Sequence, residues 1–266
     1  MSSPLLNTAK RAAANAGKII SRFIEYPDEL EVHQKSPTDF VTNADLSAED
    51  AIVDTLRQAN PDFGILSEEH GLIGPENSEW TWVVDPLDGT TNFLHGFPQF
   101  AVSIGLKHKN QIVEAVVYDI VKEEMFTATR GEGAFLNNHR IRVTPRREIN
   151  EALVGIGFPF RQTDNTEAYL RVFRAMAGKV AGLRRTGSAA LDLCYVASGR
   201  LDAYWEPSLK PWDLAAGSLI VLEAGGLVTD FDGNENYFES GNLVAATPRI
   251  FPYVLNAVKR HYVSHP

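Results

Sequence analysis

Residues 82–93 read Trp-Val-Val-Asp-Pro-Leu-Asp-Gly-Thr-Thr-Asn-Phe. The apolar, β-branched run at the start predicts a buried strand, which we expect to end where an acid, a proline, a second acid and a glycine follow. Asp85 and Asp88 lie three residues apart across a turn stiffened by Pro86, so their carboxylates can converge on one point. That geometry suits a hard divalent cation. Gly89 allows close backbone approach, and the N–H groups that follow it are typical of a turn that binds an anion.

Taken alone, such a segment is more often an ordinary turn with solvated acids. Two further blocks change the interpretation: residues 67–71 read Ser-Glu-Glu-His-Gly, and residues 211–217 read Pro-Trp-Asp-Leu-Ala-Ala-Gly. Together with the complete match of residues 82–93 to W-x-x-D-P-[LI]-D-G-T-x-N-F, these blocks resemble the inositol monophosphatase family, in the family's order and over nearly the whole chain. Residues 184–192 (Arg-Arg-Thr-Gly-Ser-Ala-Ala-Leu-Asp) and 157–160 (Gly-Phe-Pro-Phe) look closest to its SuhB-type bacterial members.

Composition bounds the class of protein. The chain has 266 residues, of which 44% are hydrophobic, enough for one large domain or two closely packed lobes. The net charge of −9 argues against a surface that grips nucleic acid through its phosphates. The only cysteine, Cys194, lies in an apolar helical context, which excludes a disulfide framework and favours a buried thiol. We find no apolar signal region and no run of membrane-spanning length, so we expect a cytoplasmic protein without a membrane partner.

The pattern along the chain predicts a mixed fold. A packing helix is expected over residues 4–25, an antiparallel meander over 99–135, and alternating strands and helices after that. Thr247-Pro248 is expected to start the last helix. The resemblance implies an α/β (α+β) fold, the layered αβαβα sandwich of the sugar phosphatase type. In that fold residues 1–145 form an N-terminal lobe with the metal-binding motif, and residues 146–266 form a C-terminal lobe that completes the active site.

Four acids from separate parts of the chain are candidate metal ligands, because each follows a predicted strand or opens a predicted helix: Glu68, Asp85, Asp88 and Asp213. Carboxylates packed together without a cation would repel one another and have raised pKa values, so the cluster implies a bound metal. Donors that are all oxygen favour Mg²⁺ over zinc. His70 and His95 stand beside the motifs, but as lone histidines they are not expected to ligate a metal.

The resemblance implies hydrolysis of a phosphate monoester, inositol 1-phosphate, by a metal-activated water without a covalent intermediate. It implies two or three Mg²⁺ ions per site and inhibition by Li⁺. The first metal would be held by Glu68, Asp85 and the Leu87 carbonyl, and the second by Asp85, Asp88 and Asp213. Glu68 with a Thr90 and Asp45 pair would orient the water. Phosphate would meet the backbone of Gly89 and Thr90, and substrate hydroxyls would meet Asp88, Ala189, Glu206 and Asp213.

Simpler roles stay open for some of these residues. Asp45 would serve equally well as a cap of its own helix, and Glu206, which precedes Pro207, would equally be a solvated loop residue. A second hypothesis is a binding role in transcription, since SuhB-type members associate with the antitermination and RNA polymerase machinery independently of catalysis. Arg184 and Arg185 would then belong to a partner or dimer surface. The alternative is that they form an ordinary salt bridge beside a helix. The family also implies a homodimer.

Overall fold

The structure, a computed structural model, describes residues 3–36, 39–75, 77–158 and 165–262. The helices are, in chain order, α1 (Pro4–Glu25), α2 (Asn43–Ala59), α3 (Thr90–Leu94), α4 (Thr166–Met176), α5 (Ala189–Ala197), α6 (Pro211–Glu223), α7 (Tyr237–Ser240) and α8 (Phe251–His261). Short 3₁₀ turns occupy Pro27–Glu29 and Ile149–Glu151. Part of the segment 157–160 singled out in the sequence, Pro159-Phe160, lies outside the described residues.

The strands of the first half are β1 (Val32–Ser36), β2 (Asp39–Thr42), β3 (Gly64–Ser67), β4 (Gly71–Ile73), β5 (Trp80–Asp88), β6 (Ala101–His108), β7 (Gln111–Asp119), β8 (Glu124–Thr129), β9 (Gly133–Leu136) and β10 (His139–Ile141). The strands of the second half are β11 (Leu153–Ile156), β12 (Gly182–Arg184), β13 (Ala203–Glu206), β14 (Leu227–Thr229) and β15 (Leu243–Ala246). β1 and β2 pair with each other as a separate antiparallel ribbon.

The remaining described strands form two mixed sheets. The first has eight strands in the order β10-β9-β8-β7-β6-β5-β3-β4, with β3 and β5 parallel and the other neighbours antiparallel. The second has five strands in the order β12-β11-β13-β15-β14, with β11 parallel to both of its neighbours. The meander predicted over residues 99–135 is the run from β6 to β9, in which each strand pairs with the next.

Five layers pack around three apolar cores. Helices α1 and α2 pack on one face of the eight-stranded sheet, α5 and α6 fill the space between the two sheets, and α4 and α8 cover the far face of the five-stranded sheet. The αβαβα sandwich expected from the resemblance is therefore confirmed. None of the helices in the described part of the chain combines the length and apolar character that a membrane span requires.

Strand alternation explains how one sheet serves two cores. In β5, Trp82 and Val84 are buried in the core with α1 and α2, while Val83 between them is buried in the core with α5 and α6. In β13, Trp205 faces the outer core and Tyr204 the central one. Successive side chains of a strand point to opposite faces, so a strand covered by helices on both sides reads as a continuous apolar run.

The same topology decides where polar side chains gather. β3 and β5 run parallel and adjacent, so their carboxyl ends open at one edge of the eight-stranded sheet. Glu68 follows β3 directly, and Asp85 and Asp88 belong to the last residues of β5. β13 ends at Glu206, and α6 places Asp213 in its first turn. These ends meet at one cleft.

Candidate active site

The cleft has a volume of about 380 Å³ and opens between the two sheets. It is lined by residues from β5, α3, the segment before α5, β13 and α6. The predicted site residues among its lining are Glu68, Asp85, Leu87, Asp88, Gly89, Thr90, Ala189, Glu206 and Asp213. The structure thus brings together nearly all of the residues that the sequence singled out, and Asp45 reaches the cleft through a hydrogen bond described below.

The β5 segment reaches further than the sequence predicted. The strand does not end at Asp85 but continues to Asp88, with a bulge in its pairing to β6: Asp85 lies opposite Ser103, and Asp88 lies opposite Ala101. The chain thus advances three residues along β5, from Asp85 to Asp88, but only two along β6, from Ser103 to Ala101. Pro86 fits within the bulge because a residue there needs no ladder hydrogen bond. The bulge holds both acids rigidly at the cleft.

Burial and the other three candidate acids raise the pKa of Asp85. Asp85 is 1% exposed, and burial raises the pKa of its carboxyl well above the ordinary value, with a further rise from the charges of the other three acids. Asp88 Oδ2 accepts hydrogen bonds from Ser188 Oγ (2.5 Å) and the Ala190 N–H (2.8 Å). Burial still raises the pKa of Asp88 to about 6. A bound cation would relieve this repulsion and favour the charged carboxylates.

The donor set has the chemistry that Mg²⁺ requires, since it consists of carboxylate and carbonyl oxygens. Within the described residues, however, no three Asp, Glu, His or Cys side chains form a ready group around one point. Several carboxylate oxygens are taken by protein donors instead: the Leu87 N–H bonds Asp85 Oδ1 at 3.0 Å, and the Lys210 N–H bonds Asp213 Oδ2 at 2.6 Å. The acids face the cleft as separate side chains, so their assignment as metal ligands stays a prediction.

Asp45 fills both of the roles left open by the sequence. Its Oδ2 accepts hydrogen bonds from the Thr42 N–H (2.9 Å) and Thr42 Oγ1 (2.5 Å), which completes the capping box of α2. Its Oδ1 accepts a hydrogen bond from Thr90 Oγ1 at 2.9 Å. Burial raises the pKa of Asp45, and these hydrogen bonds lower it in part. The side chain thus links the start of α2 to the start of α3 beside the cleft.

Glu206 is not a solvated loop residue. It is the last residue of β13, lines the cleft and contacts the Tyr204 hydroxyl. Burial raises the pKa of Glu206 to about 8. The carboxyl group fills the space where another residue type at position 157 would carry a side chain, because a Cβ on Gly157 would lie 1.8 Å from Glu206 Cδ. Gly157 is therefore the residue that leaves room for Glu206.

Sequence reasoning missed several residues of this cleft. Arg185, interpreted as a partner-surface residue, lines the cleft, and its charge lowers the pKa values of Asp88 and Glu206 in part. Asp192 is 2% exposed, also lines the cleft, and has one carboxylate oxygen without a hydrogen-bond partner among the described residues. Arg185 and Asp192 flank the Gly187-Ser188 turn at the start of α5, and that proximity is the one signal that could have marked them.

Asn92, quoted in the motif without a role, ties the two halves of the cleft together. Its Nδ2 donates hydrogen bonds to the Gln99 carbonyl (2.7 Å) and to the Thr186 carbonyl (2.9 Å). The first bond closes the loop after α3, and the second fixes the segment that leads into α5. This side chain therefore aligns the acidic end of β5 with Ser188 and Ala189.

This fold and this acid-lined cleft place the protein in a phosphatase-like class, and the sequence comparison defines it: the chain belongs to the inositol monophosphatase family, whose match covers residues 1–262. It is 50% identical over 262 residues to the Nus factor SuhB of Pseudomonas aeruginosa, with 97% of each chain covered. The extragenic suppressor protein suhB from Bartonella henselae superposes with a TM-score of 0.94 at 44% identity, covering 97% of this chain and 99% of that one. An inositol monophosphatase from Anabaena superposes with a TM-score of 0.85 at 35% identity, covering 96% and 95%.

Proposed function

We propose that the protein is a Mg²⁺-dependent phosphate monoester hydrolase that acts on inositol 1-phosphate through a metal-activated water, without a covalent intermediate. One observation carries the proposal: a buried aspartate, Asp85, shares a cleft with Glu68, Asp88 and Asp213, and these four acids come from three segments that are separate in the sequence. Membership of the inositol monophosphatase family supports the same reaction. Carboxylates that lie close together in this way can act as ligands of divalent cations.

The proposed ligands fall into two sets. Glu68, Asp85 and the Leu87 carbonyl would hold one Mg²⁺, and Asp85, Asp88 and Asp213 would hold a second. Bound Mg²⁺ would lower the pKa of the attacking water and stabilise the ester oxygen as it leaves. A third ion and inhibition by Li⁺ are further proposals that rest on the family resemblance.

The protein's own groups would orient the water and the substrate. Thr90 Oγ1 has one proton, and Asp45 Oδ1 lies 2.9 Å away to accept it. The lone pairs of the Thr90 hydroxyl would then accept a hydrogen bond from the attacking water, while Glu68 would orient the other side of that water. The backbone N–H groups of Gly89 and Thr90 would bind phosphate. Asp88, Ala189, Glu206 and Asp213 would meet the hydroxyls of the polyol.

Neutralising one proposed ligand tests the function. Asp88→Asn and Asp213→Asn should each lower kcat for inositol 1-phosphate about 1000-fold, which corresponds to about 4 kcal/mol of lost transition-state stabilisation. Chelation of Mg²⁺ by EDTA should abolish the wild-type activity. Phosphate release is measured with and without Mg²⁺ and Li⁺, and circular dichroism checks the fold.

The matched control is Asp62→Asn, which changes an exposed acid outside the cleft and should leave kcat unchanged. Turnover of inositol 1-phosphate at the wild-type rate by Asp88→Asn or Asp213→Asn would contradict the proposed site.

We also propose a second function, an association with the transcription antitermination and RNA polymerase machinery. Support comes from the relative in Pseudomonas aeruginosa, which is named a Nus factor and is similar over its whole length. A homodimer, which the family resemblance implies, would supply a surface for this association. In a strain that lacks this protein, rescue of growth by Asp88→Asn would favour the binding function. Failure of a folded Asp88→Asn protein to rescue, where wild type succeeds, would favour the enzyme.

A further inference from the structure

Glu49 is a buried carboxylate outside the lining of the cleft. It lies in α2 and has a relative exposure of 0%. Its two oxygens accept hydrogen bonds from four donors: Ser67 Oγ at 2.5 Å, the Glu69 N–H at 3.0 Å, the His70 N–H at 3.0 Å and His70 Nδ1 at 2.7 Å. A buried carboxylate is costly unless it is bonded in this way, so the four donors explain why it is tolerated.

All four donors belong to the residues that flank Glu68. The turn from Ser67 to His70 wraps around the Glu49 carboxylate, while the Glu68 N–H donates to the Val84 carbonyl of β5 at 3.2 Å. The backbone of Glu68 is thus fixed on one side by the neighbouring strand and on the other by Glu49. Glu68 lines the cleft, so the Glu49 carboxylate helps to fix the position of Glu68 in the cleft.

Helix α2 carries a second carboxylate that contacts another residue of the cleft, Thr90. Asp45 and Glu49 are four residues apart and therefore share a face of the helix. Asp45 accepts the Thr90 hydroxyl at 2.9 Å, and Glu49 holds the turn that presents Glu68. One rigid element therefore fixes the spacing between the β3 end and the α3 start.

We propose that Glu49 is a positioning residue, which holds Glu68 in the place where it contributes to divalent-cation binding. The inference rests on the proposed function, because it requires a metal at Glu68. A merely structural role for Glu49 predicts lower stability with an unchanged cation affinity in the folded fraction. A positioning role predicts a loss of cation affinity in protein that is folded.

The test uses Mn²⁺ alone, without substrate, on the full chain. Glu49→Gln keeps the size of the side chain but puts an NH₂ group where an oxygen now accepts hydrogen bonds, so at least one donor of the turn loses its acceptor. We expect the Kd for Mn²⁺, followed by the spin-resonance signal of the free ion, to rise about 10–100-fold. The same variant should need more Mg²⁺ for half-maximal activity and should approach wild-type kcat at saturating Mg²⁺. Asp50→Asn, the exposed neighbour in α2, should leave the Mn²⁺ Kd unchanged.

The outcomes separate this inference from the proposed function. Wild-type Mn²⁺ affinity in folded Glu49→Gln overturns the positioning role and leaves the proposed function standing. Absence of Mn²⁺ binding in the wild type overturns both the positioning role and the proposed function. Phosphatase activity of the wild type without any divalent cation also overturns both, because the proposed reaction requires a bound metal. If Glu49→Gln does not fold, Ser67→Ala decides, because it removes one donor and keeps the carboxylate: a raised Mn²⁺ Kd supports the role, and an unchanged Kd overturns it.

Discussion

At the scale of single residues, the cleft contains carboxyl groups whose charged forms are destabilised by burial. Glu206 and Asp88 both have raised pKa values, about 8 and about 6. Arg185 offsets part of the rise for each of them. Natural proteins keep such groups where function requires them, because apolar residues of similar size would cost less to bury.

The raised pKa of Glu206 predicts a pH dependence of stability. Its ordinary value is 4.5 and its value in the fold is about 8, so the folded protein binds more protons than the unfolded chain between these pH values. The contribution of Glu206 to the free energy of unfolding should therefore be complete below about pH 4.5 and should fall as the pH rises toward 8. We expect Glu206→Gln to flatten this fall.

Urea denaturation at pH 5.5 and 8.5, with EDTA present, measures this effect. Glu235→Gln, an exposed glutamate, is the matched control and should keep the wild-type difference between the two pH values. An equal loss of stability in wild type and Glu206→Gln would contradict the raised pKa of the Glu206 carboxyl.

At the scale of elements, the two central helices meet through a glycine. A Cβ on Gly217 of α6 would lie 2.7 Å from Leu193 Cβ and 2.6 Å from Leu193 Cδ1 of α5. The close approach brings the start of each helix to the cleft, with Ala189 on one and Asp213 on the other. Leu193 Cβ is anchored to its backbone, so it cannot move aside without moving α5.

Gly217→Ala should therefore destabilise the protein, although alanine normally stabilises a helix by about 1 kcal/mol relative to glycine. We expect the free energy of unfolding to fall by about 1–3 kcal/mol through overpacking. Urea denaturation measures it, and a second change, Leu193→Gly, should make the effect of Gly217→Ala smaller because it removes the opposing Cβ and the rest of that side chain. A rise in stability for the single variant would refute the tight contact.

Local signals in the sequence predicted some element boundaries well. Ser188 follows Gly187, a pattern that predicts a helix N-cap, and α5 begins directly after it with the Leu191 N–H bonded to Ser188 Oγ at 3.3 Å. The pair Gly225-Gly226 predicts a helix end just before it, and α6 ends at Glu223. Capping and glycine stops depend on a few adjacent residues, so one sequence is enough to identify them.

Other boundaries depend on distant residues and were wrong. The last helix begins at Phe251, not at Thr247-Pro248. The Thr247 hydroxyl donates to the Thr144 carbonyl at 2.5 Å, and its N–H donates to the Asp202 carbonyl at 2.9 Å. These tertiary contacts hold Thr247 in a turn before the helix. The bulge in β5 escaped prediction for the same reason, since it exists only in the pairing with β6.

At the scale of the whole molecule, the cleft lies where both sheets and the central helix layer end. Asp85 and Asp88 belong to the eight-stranded sheet, Glu206 to the five-stranded sheet, and Asp213 to a helix between them. Sequence motifs indicated which residues matter through family resemblance, but composition and periodicity could not show that Arg185 enters the same cleft. Its position follows from the packing of α5 between the sheets. Because α5 begins more than one hundred residues after β5 ends, no local pattern in the sequence indicates that they meet.

The central claim is that these acids share divalent cations, and anomalous diffraction from crystals soaked in Mn²⁺ tests it most directly. The account predicts at least one strong anomalous peak within ligand distance, about 2.0–2.3 Å, of carboxylate oxygens of Asp85 and of Glu68 or Asp213. The peak should vanish in crystals of Asp85→Asn/Asp213→Asn. A well-diffracting wild-type crystal at saturating Mn²⁺ with no peak in the cleft, or with peaks only at surface acids, would contradict the account.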